Sequence, residues 1–93
     1  LDVIDGGAGA DDTFVINGNT NNAVAETYRI YSRTAADAAG LVVINPDAEI
    51  VITRGGTTSA FIVAELDNIE EIIVNTDNGN DTVAIIGSFA QTS

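Results

Sequence analysis

The 93-residue chain contains no cysteine, histidine, lysine, methionine or tryptophan, and only one proline. Without cysteine there is neither a disulfide staple nor a thiolate metal site. Without histidine and lysine the usual general base and the Schiff-base amine are missing, and no soft metal ligand is left. Positive charge is scarce too: three arginines stand against 14 acids, for a net charge of −11. A polyanion of this density repels nucleic acid and anionic lipid, so neither is an expected partner. No apolar run approaches the roughly 18 residues that a membrane span needs, so insertion is not expected. No signal peptide is seen, and Leu1 is not an initiator methionine, which fits a fragment or a processed product.

Hydrophobic residues make up 45% of the chain, so disorder is not expected despite the charge. Isoleucine and valine together number 21, against three leucines. A β-branched excess of this size suits a pleated surface and fits helices poorly. The reading is one all-β module over residues 1–93. Strands are expected near 1–4, 12–17, 25–32, 41–45, 49–54, 60–66, 69–75 and 82–86, separated by Gly/Asn/Asp turns such as "GNTNN", "NPDA" and "RGGTTS". Residues 41–66 read as a central antiparallel meander, with Pro46 setting one bend and Gly55-Gly56 the next. "TAADAAG" (34–40) is the one helical candidate, with Thr34 and Asp37 as a capping box and Gly40 as the stop. Consecutive apolar runs at 42–44, 72–74 and 85–86 predict cover on both faces, or a coil wall with neighbours stacked on it.

The acids cluster at the two ends. Residues 1–12 carry −4, residues 13–64 carry −1 and residues 65–93 carry −6, which sum to the −11 of the whole chain. The same ends share a pattern: "VIDGGAGADDTFVING" from Val3 and "IVNTDNGNDTVAIIG" from Ile73 both read strand, Gly/Asp turn, Asp-Thr, strand. A tail that repeats the head is what one unit of a repeating array looks like.

The turns at 5–14 and 75–83 raise a metal question. Ca²⁺ takes about 6–8 hard oxygens from carboxylates and backbone carbonyls, and glycines let a chain bend tightly enough to aim carbonyls inward. "GGAGAD" (6–11) fits the opening of the nonapeptide G-G-x-G-x-D-x-U-x. The stretch resembles the hemolysin-type (RTX) calcium-binding repeats of secreted bacterial surface and matrix proteins. The likeness covers about fifteen residues at each end. The apolar position, Phe14, arrives one place late, and Thr76-Asp77 stand where two glycines belong. It implies a β-solenoid or β-roll-like fold, with a β-sandwich as the alternative, and a secreted, cell-surface location. The metal-ligating residues it implies are Gly7, Gly9, Asp11, Asp12, Asp77, Gly79 and Asp81, with Asp5 and Asn80 behind them. Each turn would supply half of a coordination shell, so Ca²⁺ binding is expected to be weak. The other reading of these residues is plain turn chemistry, with Asp and Asn side chains bonding their own backbone.

Other constellations carry less. Glu70 and Glu71 are adjacent on a strand and face opposite sides, so they cannot act as a carboxylate pair on one sugar. "TYRIYSR" places Arg29, Tyr31 and Arg33 on one strand face, as a solvated face or a grip for an acidic partner. No serine has a histidine to activate it, and "GGAGAD" lacks the lysine of a phosphate loop. The expected function is a non-catalytic structural module of an extracellular bacterial surface or matrix assembly. Its partners would be other copies or neighbouring repeats, with a surface glycan as a further class. The alternatives are a self-assembling filament or surface-layer subunit without specific Ca²⁺ sites, and an accessory module of a secreted polysaccharide-active enzyme.

Overall fold

A computed structural model of the chain describes residues 2–7, 12–17, 27–69, 71–75 and 81–87. Among the described residues there are seven strands: β1 (Asp2–Asp5), β2 (Thr13–Asn17), β3 (Thr27–Ser32), β4 (Ile50–Arg54), β5 (Ile62–Asp67), β6 (Glu71–Asn75) and β7 (Thr82–Ile86). One short helix, α1 (Arg33–Ala38), separates β3 from β4. The chain is all-β, as its β-branched composition predicts.

The strands form two open sheets. The larger has the order β1-β5-β4-β3-β7, and the smaller pairs β2 with β6. β3, β4 and β5 make an antiparallel meander, while β1 joins β5 and β7 joins β3 in parallel. β4 alone therefore runs against its four sheet-mates. The small sheet is parallel as well, with Phe14 opposite Ile72 and Ile16 opposite Val74.

Alternation along each strand sets the layers. On one face of the meander Tyr28, Ile30, Ile50, Ile52, Ala64 and Leu66 are buried beneath Phe14, Ile16, Ile72 and Val74 of the small sheet. On the other face Tyr31, Val51 and Ile62 are covered by Ala36 of α1 and by Leu41. Each such aliphatic side chain, fully buried, contributes about 1.5–3 kcal/mol.

The helix starts one residue before "TAADAAG". Its N-cap is Ser32, whose Oγ accepts the Ala35 amide at 3.2 Å, so Thr34 is not the cap. It ends as the sequence indicates: Gly40 takes φ +79°, a left-handed stop that costs glycine nothing.

"LVVIN" (41–45) forms no strand, which corrects the expected meander at that point. Its amides are taken by side chains. Val42 N–H donates to Ser59 Oγ at 2.8 Å, while Ile44 and Asn45 N–H donate to the two carboxylate oxygens of Glu65, each at 2.7 Å. Glu65 is completely buried. From the opposite polarity, Arg33 Nη1 donates to the carbonyls of Asn45, Pro46 and Ala48. An acid on the donors and a base on the acceptors hold this segment against the sheet. Leu41 goes in, while Val42 and Ile44 stay 71% and 65% exposed. Within the described chain the runs at 42–44 and 72–74 thus have cover on one face only, with Ile73 exposed as well, while Ile85 and Ile86 are both exposed.

Replacing Glu65 with Gln puts an NH₂ group against one of the two amides. The expected loss is about 1–3 kcal/mol in urea unfolding, with hydrogen-exchange protection falling first at Ile44 and Asn45.

Candidate functional site

The first Asp/Gly turn leaves the end of β1. Asp5 lies opposite Asp67 on β5, and the ladder continues one step further, Gly6 N–H donating to the Asp67 carbonyl at 2.8 Å. Asp5 Oδ1 accepts from the Gly7 amide at 2.8 Å and from Asn68 Nδ2 at 2.9 Å. The Asp5–Gly7 contact is a local turn bond of the kind aspartate makes with the backbone two residues on, and Gly7 has φ +74°. For Asp5 this is the plain turn role.

Gly6 is the tight point. A Cβ there would run into the Asn68 carbonyl oxygen and would stand 2.9 Å from Asp12 Cβ and Oδ2. The two ends of the glycine-rich stretch are therefore close together: Asp12 packs on Gly6 just before β2 begins. Asp12 also hands its carbonyl to the Glu71 amide at 3.1 Å, and Thr13 Oγ1 donates to Glu71 Oε1 at 3.1 Å. The start of β2 is thereby tied to β6.

Asp81 occupies the equivalent position ahead of β7. Both Asp12 and Asp81 are half-buried, and the Oδ2 atom of each is shut away from solvent. They are on different sheets, Asp12 leading into the small one and Asp81 into an edge of the large one. The residues that match between the two ends of the sequence are thus not paired with one another. Val3-Ile4 lie beside Glu65-Leu66, and residues 13–17 lie beside 71–75. Of the expected ligands, Gly9, Asp11, Asp77 and Gly79 lie outside the described residues, as does Asn80. Among the described residues no three acids are gathered closely enough to share one ion.

A second group of acids, which the sequence did not mark, surrounds Asp67. Asn68 takes a left-handed conformation with φ +57°, its amide donating to Glu49 Oε1 at 3.1 Å. Lost hydration holds the Asp67 carboxyl above its ordinary range, and the charges of Asp5, Glu49 and Asp47 push it the same way, as does a hydrogen bond shared with Glu49. Asp5 moves the other way, lowered by the Asn68 side-chain amide and then by the Gly7 amide. Nothing in the local spacing links residue 5 to residues 47, 49 and 67. The β1–β5 register brings Asp5 to Asp67, and the β4–β5 pairing brings Glu49 there.

The Arg29–Tyr31–Arg33 face is not a free grip. Tyr31 is buried, Arg29 Nη1 reaches the Gly56 carbonyl at 3.4 Å, and Arg33 belongs to α1, where its Nε pairs with Asp37 at 3.1 Å. No helix among the described residues is long and apolar enough to cross a membrane. Compared with protein-family models, with curated proteins and with solved structures, the chain matches none.

The packing around Gly6 predicts that Gly6→Ala costs about 1–3 kcal/mol in denaturant unfolding, because the methyl has backbone on one side and Asp12 on the other. The two shifted carboxyls predict opposite pH behaviour. Asp67, raised, opposes folding once ionised, and that penalty vanishes as pH falls through its folded value. Asp67→Asn should thus raise the melting temperature on the order of 1–3 °C at pH 7, with the gain gone by about pH 3. Asp5, lowered, contributes stability above its unfolded pKa that is lost on acidification, so Asp5→Ala should destabilise at pH 7 and less at about pH 3.

Proposed function

We propose that this chain is a non-catalytic structural module of an extracellular bacterial surface or matrix assembly, with Ca²⁺ at its Asp/Gly turns supporting head-to-tail stacking of repeats or subunits. The observation that carries the proposal is the set of three parallel pairs taken in chain order: β1 with β5, β2 with β6, β3 with β7. Like residues meet in register along them: Ile4 with Leu66, Asp5 with Asp67, Val15 with Ile73, Asn17 with Asn75, Thr27 with Thr82, Ile30 with Ile85. We read this as two successive turns of a β-solenoid or roll-like coil, with α1 and β4 inserted between them. A unit of that kind buries its apolar faces by stacking on the next.

Calcium has a defined task in this reading. A chain at −11 resists close approach of its own copies. Asp12 and Asp81, each half-buried directly ahead of a strand, are the described carboxylates of the set that would take the ion. Gly7, Gly9, Asp11, Asp77 and Gly79 complete the proposed set. A second reading, a filament or surface-layer subunit without specific Ca²⁺ sites, is favoured by the local hydrogen bonds that already satisfy Asp5.

Calorimetry separates the two. With Ca²⁺ at about ten times a millimolar Kd, the melting temperature should rise by roughly 5 °C over chelator. Magnesium at matched ionic strength should do less, and Asp12→Asn with Asp81→Asn should remove the difference. Equal shifts from both ions, unchanged in the double variant, would leave only charge screening and remove calcium from the proposal.

A further inference from the structure

Among the described residues the large sheet ends in two different edges. β1 begins and ends on an aspartate, whereas β7, "TVAII", has no charged residue, no proline and no bulge. Charge, proline and bulges are the usual devices that keep an edge strand from recruiting another strand. β7 has none of them, and its apolar side chains are uncovered: Ile85 is 68% exposed, and Val83 and Ile86 are exposed as well. On β1, Val3 is exposed.

The two edges also point the same way. β1 is parallel to β5, β5 and β3 both run against β4, and β7 is parallel to β3. Shifting a copy along the sheet, without rotation, brings its β1 beside β7 of the first copy in the same parallel relation that β5 and β3 already have with these strands. Register follows from the rows across the sheet. Ile86 is level with Tyr31, Tyr31 with Val51, Val51 with Glu65, and Glu65 with Val3. The row thus starts and ends on an exposed aliphatic residue of the same face.

We propose that β7 of one molecule adds, parallel and edge to edge, to β1 of a second copy of this chain, with Ile86 opposite Val3. This deepens the stacking reading given above and rests on it. A contact between unlike edges is heterologous and open-ended. Pairing β1 with β1 would bring aspartates together, and pairing β7 with β7 would close a dimer and leave β1 bare.

Because the chain has no cysteine of its own, two single variants test the contact cleanly. Val3→Cys and Ile86→Cys, mixed and oxidised, should give a disulfide-linked dimer on non-reducing gels. A chain carrying both should give a ladder. The two positions of one molecule are four strand spacings apart, about 19 Å, beyond the roughly 7 Å that a disulfide can bridge. Ile85→Lys, at an exposed position, should leave the melting temperature unchanged and weaken association tenfold or more by sedimentation.

A dimer from Ile86→Cys alone would mean β7 on β7 and would overturn the inference. So would regular assemblies in which the mixed variants do not cross-link, although stacking itself would then stand. A chain that stays monomeric at millimolar concentration, with calcium and with chelator, overturns the strand contact and the stacking reading together. Cross-linking that is indifferent to chelator keeps the strand contact and removes only calcium's part in it.

Discussion

Glu65 has no access to water, and both of its carboxylate oxygens are used on the backbone of a segment some twenty residues earlier in the chain. A carboxyl group in such a place is tolerable only when it is hydrogen-bonded, and two short bonds from consecutive amides give each of its oxygens a partner. The helix-side layer follows from this constraint. With the amides of Ile44 and Asn45 committed to Glu65, residues 41–45 cannot enter a ladder, however strand-like their composition. With Arg33 on the carbonyls that follow, the segment lies flat over the sheet and closes the pocket that keeps Glu65 dry. Truncating either charged group would leave the other polar groups of the layer without partners, so their contributions are not additive.

Much of the architecture could be read from residue types. β-branched runs bounded by Gly, Asn and Asp located β1 to β7 to within a few residues, and Gly40 marked the end of α1. "LVVIN" misled because an apolar run reports that a segment packs and says nothing about which groups take its amides. The helix cap was missed by two residues because Ser32 looks like the last residue of a strand, and it is that as well. The recurrence between the two ends of the sequence does not set which residues pair. Residues 12–17 and 81–86 share a local task, an aspartate directly ahead of a strand, and this gives them similar letters. Pairing is decided by which side chains fill the common core, and there β2 meets β6 at a different offset.

The candidate site was legible to a similar depth. The Asp5–Gly6–Gly7 bend is a turn for the reasons its residues suggest, and Asp12 returns to Gly6 as a glycine-rich stretch allows. Its surroundings were not legible, because Asp67, Asn68 and Glu49 arrive through the parallel register of β1 and β5. Charge counted along the sequence put the acids at the ends and left the middle nearly neutral. Folding redistributes them: Asp47 and Glu49, from that middle, join Asp5 and Asp67 at one corner of the sheet. Local repulsion at that corner is set by the fold, so net charge per segment is a poor guide to where it is felt.

The two sheets differ in height. Among the described residues one wall has five strands and the other two, so the proposed growth along the larger wall would add about 24 Å per unit there against about 10 Å opposite. Such a unit is wedge-shaped in profile. A row of them either bows, with the short walls on the concave side, or stays straight and leaves a slot about three strands wide between successive short walls. Curvature and porosity would then be set by how many strands each wall has, before any partner or ion contributes.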